Sequence, residues 1–179
     1  MFPALKCVYL NQNGKVMKYS LLVALSFFVL PALADDSFSI YLVRHAEKQA
    51  VKDDPKLTQC GKLRAKQIAN MLEHTKIKHV YSTAYQRTMA TAAPFAKQQK
   101  LAIKQYSPAK LNQFAQQLLK QKENVLVVGH SNTTPQLSAL LSELTVDDIT
   151  EKQYRNLYQI QVSSSGKTLT LFTQPLTCR

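Results

Sequence analysis

Four side chains suited to binding an anion stand just beyond apolar segments of this sequence. They are Arg44, His45, Arg87 and His130. Guanidinium groups pair with tetrahedral oxyanions through two parallel hydrogen bonds, and imidazole serves as donor, base or nucleophile. Such a cluster would repel itself without an anion inside it, and phosphate is the natural candidate. The alternative is that these residues are only the solvated ends of strands.

Hydrophobic periodicity predicts how the chain brings these residues together. Apolar runs predict strands at 37–43, 79–82, 101–106 and 124–128, and a closing hairpin of 156–162 with 167–174. Helical spacing predicts helices at about 58–74, from 85 onwards, around 111–119 and up to about 144. The pattern favours an α/β fold: a three-layer sandwich with a mainly parallel mixed sheet, helices on both faces and a C-terminal β-hairpin. The carboxyl ends of parallel strands share one edge, so the four side chains are expected to converge there.

Three local features add detail to this prediction. Pro94 is expected to kink or end the helix that contains it. Thr134 and Pro135 have the residue types of an N-cap and a first helical position. Arg64 is interpreted as a surface residue with a packed stem.

The first 34 residues are expected to be a secretory signal peptide. Lys15 and Lys18 precede an apolar stretch at 21–33 that ends in small residues. That stretch is shorter than the roughly 20 apolar residues of a membrane span, so no stable span is expected after cleavage. Met17 offers an alternative start, which would make 1–16 a spurious extension. Residues 35–179 then form one domain that is periplasmic or secreted.

Charge and cysteine content limit the classes of ligand and partner that are expected. The formal net charge is +12, and three of the lysines lie in the leader, which leaves +9 for an attraction towards anionic ligands. The lysines are spread along the chain without an aromatic-interleaved patch, so nucleic acid is not an expected partner. Cys60 and Cys178 remain after cleavage and predict a disulfide in an exported protein, with two free thiols as the alternative. Neither the cysteines nor the histidines have metal-ligand spacing, and nothing indicates the oligomeric state.

Four segments carry a resemblance to a known family. "LVRHAEK", "LTQCGKLRA", "VYSTAYQRTMATA" and "VVGHSNT" resemble, in order, motifs of the histidine phosphatase superfamily, which has the phosphoglycerate-mutase-like fold. By this resemblance His45 is the nucleophile, and Arg44, Arg87 and His130 hold the non-bridging oxygens of the transferred phosphoryl group. The resemblance implies an acid-type hydrolase of phosphoric monoesters that forms a phosphohistidine and needs neither metal nor cofactor. It points to a short, exported branch of the superfamily.

A general acid is missing from that set of residues. Mutase-like relatives carry a glutamate where this chain has "YSPAKLNQ", and phytase-like ones an aspartate where it has Ser131. Glu47 is the nearest candidate acid, with Asp53 and Asp54 in the same loop as further candidates and solvated loop charges as the alternative. Thr58 resembles a threonine of the family and is a candidate phosphate contact, although helix capping explains it equally well.

The substrate is expected to be a small phosphoester or a phosphorylated envelope sugar. It is expected to bind at an open site whose rim is formed by Lys48, Lys52 and Lys56. Two alternatives stay open: a phosphohistidine protein phosphatase, and a catalytically weak phosphate-binding module of the same fold. A serine hydrolase with Ser131 as nucleophile is disfavoured, because its histidine must follow the serine and no histidine follows His130.

Overall fold

The computed structural model describes residues 37–177. The predicted leader at 1–34 and Cys178 lie outside these residues. Within them the strands are β1 (Phe38–Arg44), β2 (His79–Ser82), β3 (Ile103–Gln105), β4 (Val125–Gly129), β5 (Asn156–Ser163) and β6 (Gly166–Thr173). The helices are α1 (Gln59–Met71), α2 (Gln86–Gln99), α3 (Leu111–Gln121) and α4 (Thr133–Ser142). No helix of the described part is long and apolar enough to cross a membrane.

The six strands form one mixed sheet in the order β3-β2-β4-β1-β5-β6. The pairs β1–β4, β2–β4 and β2–β3 are parallel, whereas β5 runs antiparallel to β1 and continues into the β5–β6 hairpin. A turn at 164–165 closes that hairpin, and Gly166 has a φ of 134°, a value that side-chain-bearing residues rarely adopt. The predicted fold class, including the C-terminal hairpin, is confirmed.

Helices cover both faces of the sheet because the central strands are apolar on both sides. Ile40 and Leu42 of β1 belong to a core formed with α3 and α4, whereas Tyr41 and Val43 belong to a core formed with α1 and α2. Side chains alternate between the faces of a strand, so a continuous apolar run fills two cores at once. The result is the predicted three-layer sandwich.

The register of the parallel strands brings their carboxyl ends to one place. Arg44 of β1 lies opposite Gly129 of β4, and Ser82 of β2 lies opposite Val128. Just beyond the strand, the His45 amide donates to the Gly129 carbonyl at 2.9 Å. The residues that follow β1, β2 and β4 therefore start from a common edge.

Two local predictions are wrong in part. Pro94 lies inside α2, which continues to Gln99 instead of ending at the proline. The helix buries Ala92, Phe95 and Ala96 against the sheet, and this burial offsets the hydrogen bond that proline cannot donate. Helix α4 begins at Thr133 with Asn132 as its N-cap residue, two residues earlier than predicted.

Arg64 is also not a surface residue, since only 1% of it is exposed. Its Nε lies 2.9 Å from both carboxylate oxygens of Glu47, and one Nη lies 2.6 Å from Oε1. The ion pair joins α1 to the loop after β1. Arg64 and Glu47 are 17 residues apart in the chain, so no short-range sequence pattern indicates that they pair.

Candidate active site

His45 is buried directly after β1, and its protonation state follows from one contact. Its Nδ1 lies 2.8 Å from the carbonyl oxygen of Ala46, which can only accept a hydrogen bond. Nδ1 therefore carries the proton, and Nε2 carries the lone pair. Burial, with the charges of Arg44 and Arg87, lowers the pKa of His45 to about 3. The imidazole is neutral at ordinary pH, which is the state that a nucleophile requires.

His130 is buried at the end of β4 and has the opposite tautomer. Its Nε2 lies 2.9 Å from Thr83 Oγ1, and its Nδ1 lies 3.4 Å from an Arg87 nitrogen, which cannot accept. Nε2 therefore donates to Thr83, whose hydroxyl lies 2.9 Å from that of Thr88. The His130 and His45 ring centroids are 5.6 Å apart. Burial first, and then Arg87, lowers the pKa of His130 to about 4.

Arg87 lies in the first turn of α2 and faces the same space. Its guanidinium is 4.4 Å from the centre of the Tyr85 ring, and Nη1 lies 3.6 Å from an oxygen of Asp54. Within the described residues, its Nε is buried and has no acceptor. A partly buried guanidinium with an unused donor is suited to an anion that supplies several oxygens.

Arg44 lies beside His45, but the chain itself occupies its guanidinium. Nη1 donates to the carbonyls of Thr150 and Gln153 at 2.9 and 3.3 Å, and Nη2 lies 2.6 Å from Glu151 Oε2. Tyr154 lies 4.2 Å beneath it. The segment 150–154 was not singled out in the sequence, because a short polar stretch before a hairpin has the composition of an ordinary loop.

A single cavity of about 430 Å³ connects these groups. It is lined by His45, Lys48, Tyr85, Arg87, Pro108, Ala109, His130, Ser131, Asn132, Thr133 and Glu151. Of the four residues predicted to converge, three line it directly, and Arg44 contacts it through Glu151. The start of α4 also borders the cavity, and a helix N-terminus favours bound anions. The arrangement can bind a tetrahedral oxyanion beside a neutral imidazole.

Glu47 and Thr58 do not line this cavity. Both Glu47 oxygens are bound to Arg64, and the Thr58 hydroxyl caps α1 by accepting from the Gly61 amide at 3.0 Å. Gly61 is required there, because a Cβ would collide with the Glu47 carbonyl oxygen. The geometry favours helix capping for Thr58 and leaves the acid role of Glu47 without support.

Cys60 is disulfide-bonded. Its predicted partner, Cys178, lies outside the described residues, so the pairing itself stays a prediction. Two neighbouring contacts favour it: Leu176 accepts a hydrogen bond from Arg64 at 3.2 Å and donates one to Gln67 at 3.2 Å. Both contacts hold Leu176 against α1. Between residues 37 and 177, no group of three or more His, Cys, Asp or Glu side chains could hold a metal ion.

The two buried histidines should make stability depend on pH. Both side chains titrate near 6.5 when unfolded, but only near 3 and 4 when folded. Between pH 6.5 and about 4 the unfolded state binds more protons, so the free energy of unfolding falls as the pH falls. We expect a loss of up to about 1.4 kcal/mol per pH unit for each histidine.

Urea unfolding at pH 6.5 and pH 5 measures this loss. A His45→Asn/His130→Asn variant should lose much less stability across that interval than the unaltered protein. His74→Asn is the matched control, since its side chain is 93% exposed. Equal losses in the double variant and the unaltered protein would show that other groups set the acid sensitivity.

The fold and the site can be compared with those of known proteins. The mainly parallel α/β sandwich matches the fold of solved histidine phosphatases, and its strand ends present two neutral histidines and an arginine to one cavity. Residues 40–110 match the histidine phosphatase superfamily, branch 1. Residues 40–110 therefore resemble that superfamily, and the described domain has the fold that solved histidine phosphatases share. No curated protein matches the sequence.

This chain aligns with nearly the whole length of several solved structures of the same fold. A mycobacterial glucosyl-3-phosphoglycerate phosphatase aligns with a TM-score of 0.61 and 12% identity, covering 79% of this chain and 100% of that one. The protein histidine phosphatase SixA, complexed with tungstate, aligns with a TM-score of 0.61 and 19% identity, covering 75% and 96%. A phosphoserine phosphatase from Entamoeba histolytica has a TM-score of 0.56 and 17% identity, covering 76% and 97%. Identities this low show a shared fold and do not indicate a substrate.

Proposed function

We propose that this protein is a metal-independent phosphomonoesterase that forms a phosphohistidine on His45. One observation carries the proposal: a buried, neutral imidazole whose Nε2 carries the lone pair lines the same cavity as Arg87 and His130. The nucleophile is ready without a separate base, because the Ala46 carbonyl already holds the other nitrogen in its protonated form.

The first step transfers the phosphoryl group to the protein. The His45 Nε2 lone pair forms the N–P bond while the bond from phosphorus to the ester oxygen breaks and its electrons leave with that oxygen. Negative charge spreads over the three equatorial oxygens, where the Arg87 guanidinium stabilises it. An oxyanion also favours proton uptake at His130 Nδ1, which then becomes a second donor.

The second step returns the protein to its starting state. Water attacks phosphorus, the N–P bond breaks, and its electrons return to Nε2 of His45. Splitting hydrolysis in this way replaces one difficult displacement with two easier ones. The products are inorganic phosphate and the free alcohol.

The proposed substrates are small phosphoesters or phosphorylated envelope sugars. A cavity of about 430 Å³ accommodates a phosphosugar headgroup. We also propose that the protein works in the periplasm or is secreted. The disulfide at Cys60 supports an oxidising compartment, as does the leader-like N-terminal sequence.

Release of inorganic phosphate from a panel of substrates tests this function. The panel combines alkyl and aryl phosphomonoesters, phosphosugars and a phosphohistidine peptide. We expect the phosphosugars to have the highest kcat/KM. A preference for the phosphohistidine peptide would instead indicate the protein phosphatase activity.

A catalytically weak phosphate-binding module is the second candidate, and one observation favours it. Glu151 already occupies part of Arg44, a residue expected to hold phosphate. A binding module would bind phosphate or vanadate but would never become phosphorylated at His45. An enzyme would become phosphorylated at His45 and would then release the phosphoryl group to water.

Lys48 is expected to contribute to substrate binding at the rim of the cavity. Of the three lysines predicted to form that rim, Lys48 lines the cavity, whereas Lys52 and Lys56 are exposed in the loop beyond it. Lys48→Ala should raise KM for phosphosugars about fivefold with little change in kcat, which corresponds to about 1 kcal/mol for a partly exposed ion pair. Lys52→Ala is the matched control, and equal KM values for the two variants would contradict this role.

A further inference from the structure

Glu151 reaches the cavity from the segment between α4 and β5. One carboxylate oxygen lies 2.6 Å from Arg44 Nη2, and the other accepts a hydrogen bond from the Ser131 hydroxyl. Its side chain is 68% exposed, whereas that of Arg44 is 1% exposed. The carboxylate therefore lies between solvent and the most deeply buried cation of the site.

The segment that carries Glu151 is held in place by its own backbone. Arg44 Nη1 binds the carbonyl oxygens of Thr150 and Gln153, on either side of the glutamate. These contacts join residues more than 100 positions apart in the chain. Glu151 is thus positioned by a buried guanidinium and is not a freely moving loop charge.

Among residues 37–177, Glu151 is the one carboxylate that lines the cavity with His45. Of the three acids considered from the sequence, Asp53 is exposed and does not line the cavity, and the other two have partners elsewhere. Both oxygens of Glu47 bind Arg64, and Asp54 accepts from the Gln86 amide at 2.9 Å at the start of α2. Glu151 is therefore the available carboxyl group where an ester oxygen would leave.

We propose that Glu151 is the general acid that protonates the leaving oxygen, an inference that rests on the proposed function. As the His45 Nε2–P bond forms and the P–O bond breaks, the Glu151 O–H bond breaks and its proton passes to the ester oxygen. In the second step the ionised carboxylate takes a proton from the attacking water. That proton then leaves with the departing phosphate, which returns Glu151 to its ionised state, so no co-reactant is needed.

The substrate itself favours the protonated form of Glu151. Hydrogen bonding from Ser131 and the charge of Arg44 lower the pKa of Glu151, so it is ionised beforehand. A phosphoryl group in the cavity brings negative charge close to the carboxylate and competes for Arg44, and both effects raise the pKa. Lys48 and Arg44 are the cations that act against this rise. A monoanionic phosphomonoester carries the required proton into the site.

The test compares two leaving groups with Glu151→Gln. An alkyl phosphomonoester expels a strongly basic alkoxide and needs an acid, whereas p-nitrophenyl phosphate expels a weakly basic phenolate and does not. We expect kcat to fall about 100-fold for the alkyl ester and by less than about threefold for the aryl ester. Glu143→Gln is the matched control, because Glu143 is 75% exposed and pairs with Lys167 away from the cavity.

Two results would overturn the assignment. Equal losses on both substrates would show that Glu151 only positions Arg44. Lower KM and tighter phosphate inhibition on both substrates, with kcat unchanged, would show that the carboxylate only occupies the anion site. If the unaltered protein turns over neither substrate, the proposed function is wrong. If the unaltered protein is active and Glu151→Gln gives either result above, only the role of Glu151 is wrong. Thermal unfolding of Glu151→Gln confirms that the variant is folded.

Discussion

His45→Ala should reduce phosphate release by about 10⁴-fold or more. The reaction proposed here has no route that avoids Nε2 of His45, and removing a covalent nucleophile has effects of this size or larger in other hydrolases. The same change should abolish labelling of the protein by a ³²P-phosphomonoester in a rapid acid-free quench. Both losses follow from one missing atom, so they should occur together.

His74→Ala is the matched control for this experiment, since it removes an exposed imidazole outside the cavity. It should keep both the labelling and the turnover. Labelling that persists in His45→Ala would place the covalent bond on another residue. Turnover that persists without labelling would favour direct attack by water, and the phosphohistidine would have to be abandoned.

Arg87→Ala should lower kcat by about 10³-fold. Arg87 is the guanidinium that directly lines the cavity, and its donors face the space where the equatorial oxygens would carry charge. Removing one preorganised donor commonly reduces kcat by about 10² to 10³, and removing an arginine at a transferring phosphoryl group reduces it by more. The loss should appear in kcat more than in KM, because the charge is greatest in the transition state.

Arg87→Lys separates geometry from charge. An ammonium group keeps the positive charge but cannot form two parallel bonds to phosphate, so we expect it to recover only a small part of the lost rate. Arg155→Ala is the matched control: this arginine bonds to the Gln174 carbonyl and is outside the cavity. Full activity in Arg87→Lys would mean that charge alone matters. Full activity in Arg87→Ala would remove Arg87 from the mechanism.

The two arginines of the site differ in a way that their sequence positions do not reveal. Arg87 is paired only loosely, at 3.6 Å from Asp54, whereas Arg44 binds two carbonyls and one carboxylate of the same segment. Arg44 therefore has a structural role in holding segment 150–153 as well as an electrostatic one beside His45. Burial first, and then the charges of the same two cations, lowers the pKa of both histidines and keeps them neutral.

The sequence by itself determined the three layers of the sandwich and the sheet edge at which the parallel strands end. Apolar runs such as 124–128 are local signals, and a parallel arrangement leaves little choice about where the residues after them must lie. His45, Arg87 and His130 could be predicted to meet for that reason, since each one directly follows a strand or begins the next helix. The hairpin was predictable for the same reason, from two alternating runs around a glycine-containing turn.

Only the tertiary structure decided which charges pair with one another. Glu151 pairs with Arg44, which lies 107 positions away in the chain, and Glu47 pairs with Arg64 instead of lining the cavity. Pro94 remains within α2 because packing against the sheet outweighs a local preference. Periodicity reports which face of an element is buried, but the partner of a carboxylate depends on where distant loops come to lie once the cores have formed. The proposed acid depends on this second kind of information, and the proposed nucleophile depends on the first.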